Sequence, residues 1–95
     1  MKKVVVIIKE PYQQYEGLRT SLGALLEDAA IKMIVLNNEI QDMNEAYSDN
    51  MEFLDEMEGE RFSNNSTNIE KYGFQQAGID QIGQYLKEAD VVIPF

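Results

Sequence analysis

The sequence predicts an α/β protein, a three-layer α/β/α sandwich around a small, mostly parallel sheet of four or five strands. Three observations carry that expectation. The chain opens on a continuous β-branched run, Val4-Val5-Val6-Ile7-Ile8, with none of the apolar-polar alternation of a half-exposed strand, so it reads as a strand covered on both faces. Apolar runs then alternate with stretches of helical spacing along the whole chain, the order that βα units of a parallel sheet produce. Finally, 95 residues suffice for one hydrophobic core and not for two, which makes residues 1–95 a single domain.

The elements follow in order. The strand Lys3 to Lys9 is broken by Glu10-Pro11-Tyr12, after which Tyr15, Leu18, Leu22, Leu25 and Leu26 recur at helical spacing. Ile31 to Leu36 is a second β-rich run, ended by the turn-forming pair Asn37-Asn38. Ile40, Met43, Tyr47, Met51, Leu54 and Met57 predict the longest helix, closed by Gly59. Glu60 to Asn64 is a third strand by its place in the alternation more than by its composition. A short helix through Tyr72 follows, with Thr67 and Glu70 at capping-box spacing and Gly73 as its stop. Gln75 to Gly78 reads as a turn, and Ile79, Ile82, Tyr85, Leu86 and Ala89 as the last helix. Val91 to Phe95 is a closing strand, where Pro94 is tolerable at a sheet edge.

Composition excludes several function classes. A formal net charge of −9 repels phosphate backbones and anionic membrane surfaces, so nucleic acid is not an expected partner. No apolar stretch approaches the roughly 20 residues that span a bilayer, and the run after Met1-Lys2-Lys3 is too short for a secretion signal. The expectation is a cytoplasmic protein, in which the sequons at Asn64 and Asn65 carry no glycan. The chain has no cysteine and no histidine, which removes thiolate nucleophiles, disulfides, the commonest general base and the commonest metal ligand. The acids of the long helix, from Glu39 to Glu58, read as a solvated face rather than a cation site, since a helix splays them and no calcium-loop glycine is present. No metal and no cofactor are expected.

The opening strand with Glu10-Pro11-Tyr12 and Tyr15-Glu16-Gly17-Leu18-Arg19, the segment Phe62 to Phe74 ending in Gly73-Phe74, and the closing Ala89-Asp90 step into Val91-Val92-Ile93-Pro94-Phe95 resemble the DsrE/DsrF-like family, which includes the TusD-type sulfur-relay subunits. The resemblance implies an oligomeric assembly of like or related subunits. It also implies that the family's persulfide-accepting cysteine falls on Asn65, and the second cysteine of some members on Asn68, neither of which can carry sulfur. The link from Phe74 to Ile79 is shorter than the family's, which commonly fits a further strand there.

Candidate site residues are Asn65, Ser66, Thr67 and Asn68, a polar helix start at the carboxyl end of a strand, joined by Tyr12 in the loop after the first strand and by Arg19 as an anion partner. Ordinary N-capping explains the same four residues. Tyr15 is expected in the core and Arg19 at the surface. Three functions compete: a non-catalytic DsrE/DsrF-like subunit without persulfide transfer of its own; a small-molecule or anion-binding protein using Asn65 to Asn68; and an enzyme relying on carboxylate or Tyr chemistry, for which Glu10 is the nearest candidate base. They are ranked in that order.

Overall fold

In the computed structural model, which describes residues 1–95, strands and helices alternate as β1 (Lys3–Ile8), α1 (Gln14–Leu26), β2 (Ala30–Val35), α2 (Glu45–Glu56), β3 (Glu60–Ser63), α3 (Ser66–Tyr72), β4 (Gln75–Gln76), α4 (Ile79–Glu88) and β5 (Val91–Pro94). A single 3₁₀ turn at Pro11–Gln13 precedes α1. All five strands are parallel, in the order β4-β3-β2-β1-β5. The expected α/β/α sandwich is therefore present, with five strands.

The strand order dictates the layers. From β1 to β4 each connection steps the same way across the sheet, so right-handed crossovers place α1, α2 and α3 on one face, and the return to β5 places α4 alone on the other. The two cores agree. On the first face Val4, Val6, Ile8, Met33 and Val35 meet Leu18 and Leu25 of α1 and Tyr47, Met51 and Leu54 of α2. On the second, Val5, Ile34 and Phe62 meet Ala77 and Ile82, with Tyr85 and Leu86 packed around them. β1 feeds both cores, as its unbroken apolar run requires.

The face of α1 that meets the sheet differs from the large apolar stripe. Gln14, Gly17, Leu18, Ser21 and Leu25 are buried, while Tyr15 and Leu26 are exposed. Small residues face inward because the helix lies close over Ile8: a Cβ on Gly17 would collide with the Ile8 side chain. The Ser21 hydroxyl, wholly buried, donates to the Gly17 carbonyl at 2.9 Å and so needs no outside partner.

Two further expectations are corrected. The long helix begins at Glu45 and not near Ile40, because Asn44 caps it by accepting from the Tyr47 N–H at 2.9 Å, and Ile40 is buried from an irregular loop. Gln75-Gln76, read as a turn, is a two-residue strand pairing with Phe62 and Ser63. Two glutamines carry no strand signal of their own; the open edge of β3 supplies it.

Replacing Gly17 by Ala is expected to destabilise the protein by about 1–3 kcal/mol, the usual cost of forcing an extra carbon into a packed core. Urea unfolding measures it, and a Gly23→Ala control, where a Cβ meets nothing within 4 Å, should be neutral or stabilising.

Candidate functional site

The carboxyl ends of the strands carry the polar residues that drew notice in the sequence, and the structure separates them into two groups on either side of the loop 36–44. The first group is the start of α3. Asn65, not Thr67, is its N-cap: the Asn65 Oδ1 accepts from the Asn68 N–H at 3.1 Å, and Gly73, at φ 72°, closes the helix in the left-handed conformation. The Asn65 Nδ2 donates to the Asn37 carbonyl.

Asn68 goes further, and no part of it is solvent-exposed. Its Oδ1 accepts from the Ile40 N–H at 2.9 Å, and its Nδ2 donates to the Asn38 carbonyl at 2.9 Å and to the Ser63 hydroxyl at 3.1 Å. Ser63 in turn donates to the Val35 carbonyl at 2.8 Å and accepts from the Asn65 N–H. At the surface, Asn64 and Asn37 exchange two further bonds. The side-chain amides of Asn65 and Asn68 are thus committed to joining the ends of β2 and β3, while Ser66 is exposed and Thr67 half-exposed, with no side-chain bond from either. Nor does the sheet reverse here. The strand order turns back between β1 and β5, where the Phe95 carbonyl accepts from the Lys9 and Glu10 N–H groups at 2.7 and 3.2 Å.

The second group lies across the loop, around Tyr12. A cleft of about 450 Å³ opens between the turn into α1 and the loop leading to α2. Tyr12 and Tyr15 form one wall, and Gln41, Asp42, Asn44 and Tyr47 the other. Gln14, also lining it, fixes the far wall: its Nε2 donates to the Glu39 carbonyl and its Oε1 accepts from the Gln41 N–H, both at 3.0 Å. Sequence reasoning missed Gln14, although a Gln four residues before Leu18 and seven before Ser21 lies on the face that packs inward. Arg19 does not line the cleft. It pairs with Glu16 at 3.3 Å, both side chains 60% exposed, and its guanidinium sits 5.9 Å from the Tyr15 ring centre.

Tyr47 is the one buried side chain whose polar atom has no partner: the ring packs 6.3 Å from that of Tyr15, and the hydroxyl makes no hydrogen bond. Burial pushes its phenol well above the ordinary range, against a smaller opposing pull from the charge of Arg61. It stays protonated and does not supply a base. The carboxylates of α2 are exposed and do not converge on a point; Asp55 is drawn off into an ion pair with Arg61 at 2.8 Å. No known family model, curated protein or solved structure matches this chain, so the chemistry of this end of the sheet is read from its own residues.

Asn68→Ala leaves the buried Ile40 N–H without a partner and is expected to cost about 3 kcal/mol in urea unfolding, whereas Asn65→Ala, which removes a cap, costs about 1 kcal/mol. Tyr47→Phe removes a hydroxyl that bonds to nothing and should leave stability at pH 7 unchanged or raise it by up to about 2 kcal/mol. The two proteins diverge in alkali. Above about pH 10 the unfolded chain releases the Tyr47 proton while the folded chain keeps it, so the wild type loses up to about 1.4 kcal/mol per pH unit through this group. Melts of both proteins between pH 8 and 11 should show a loss specific to the wild type.

Proposed function

We propose that this chain is a non-catalytic DsrE/DsrF-like subunit that acts by associating with copies of itself or with related subunits, without persulfide transfer of its own. The observation that carries the reading is the state of Asn65. In the correspondence drawn from the sequence, that position belongs to the sulfur-accepting cysteine; here it holds an amide spent on capping α3 and on bonding the Asn37 carbonyl. Asn68, the place of the second cysteine, is buried and fully bonded. On this reading, the position that presents a reactive sulfur in the family is here part of the fold's internal bonding.

Two features support the family side of the reading. β4 fills the link where the resemblance calls for a strand, and the parallel five-stranded sheet carries helices on both faces. Exposed apolar side chains that an association could bury stand on three helices, Leu26 of α1 (67% exposed), Phe53 of α2 (46%) and Ile79 of α4 (68%).

Light scattering coupled to size exclusion tests the reading directly. A discrete oligomer of the chain alone, or a stoichiometric complex with a related subunit, is expected at micromolar concentration. A monomer that forms neither would overturn it.

A further inference from the structure

The cleft beside Tyr12 includes none of the exposed apolar residues Leu26, Phe53 and Ile79, and its chemistry points to a ligand of a particular class. Three of the chain's five tyrosines, Tyr12, Tyr15 and Tyr47, line it. Its single charged lining residue is Asp42, and no Lys or Arg faces it. At about 450 Å³ it is far larger than a bare metal ion requires, no three ligating side chains converge in it, and its volume lies in the range of small-molecule sites.

Charge decides which small molecules fit. The start of α2 reaches the cleft and, by its dipole, favours anions. That effect is opposed on every side: Asn44 already caps the helix, Glu45 stands in its first turn, Asp42 lines the cleft and Glu39 flanks it in a chain of net charge −9. Neither neighbouring cation lines the cleft: Arg61, whose charge reaches Tyr47, is paired with Asp55, and Arg19 is paired with Glu16. Its position against the Tyr15 ring illustrates the attraction of such a ring for positive charge. We propose that the cleft binds a small organic cation, a quaternary or protonated amine, whose charge is held by the Asp42 carboxylate and the exposed rings of Tyr12 and Tyr15. This site stands independently of the family reading, and its failure would leave the oligomeric state untouched.

Choline is a suitable probe, with 3,3-dimethyl-1-butanol as its uncharged isostere. Titration followed by amide NMR should give saturable choline shifts centred on Tyr12, Tyr15 and residues 41–47, with the isostere bound at least about ten-fold more weakly. Tyr12 is 79% exposed, so Tyr12→Ala should fold normally yet weaken choline about five-fold, as should Asp42→Asn. Circular dichroism melts of both variants verify that folding is retained. Absence of saturable choline binding, equal binding of the isostere, or unchanged affinity in Asp42→Asn would each overturn the proposal.

Discussion

Two buried amides organise the carboxyl end of this sheet. The loop from Leu36 to Asn44 has no helix or strand of its own, yet it carries Ile40 into the core with 1% exposure. A loop drawn inward must still satisfy its backbone, because an unpaired N–H or C=O away from water costs as much as a lost hydrogen bond. Gln14 from α1 and Asn68 from α3 meet that need from opposite sides. Between them they accept from the N–H groups of Ile40 and Gln41 and donate to the carbonyls of Asn38 and Glu39. A side-chain amide carries one acceptor and two donors, so it substitutes for a neighbouring strand where no strand fits.

That clamp explains both halves of the candidate site. On the α3 side, Asn68 extends the chain of bonds through Ser63 to Val35, locking the ends of β2 and β3 together. On the α1 side, Gln14 ties the loop that carries Gln41 and Asp42 to the helix that carries Tyr15, and so fixes the two elements that line the cleft. Polar residues concentrated at the ends of strands are thus not equivalent: those facing a buried loop serve the fold, and those facing solvent across the loop remain free to meet a ligand.

Much of the fold was legible because periodicity reports burial. The β-branched run of β1, the alternation of strand and helix, and the stripe of Ile82, Tyr85 and Leu86 in α4 all reflect packing against the sheet, and the structure has each in place. What escaped was decided by contacts distant in sequence. The stripe of α1 pointed to Tyr15 and Leu26, but close approach to Ile8 favours Gly17 and Ser21 on the inner face. Ile40 and Met43 matched a helical spacing while the backbone around them was being held by residues 25 to 30 positions away. Of the site, Tyr12 stood out as an aromatic in a loop; Gln14, Gln41 and Asp42 did not, since a single polar residue beside a turn leaves no periodic trace.

The sheet edges constrain how such a domain can assemble. In β5 the backbone groups of Phe95 turn toward β1, its N–H donating to the Ile7 carbonyl and its carbonyl accepting from Lys9. Alternation along a strand then turns Val92 and Pro94 outward. Proline has no N–H to offer, so this edge presents Val92 as its one outward donor and makes a poor template for another strand. The opposite edge, β4, is only two residues long. Extension of the sheet from copy to copy is disfavoured at both ends. The helical layers are left as the better surfaces for association, and the layer of α4 is the thinner: one helix covers that whole face, leaving Val92 beside it 42% exposed and Ile79 at its start more so. Burying those side chains against a second surface would complete a layer that the single helix leaves partly open.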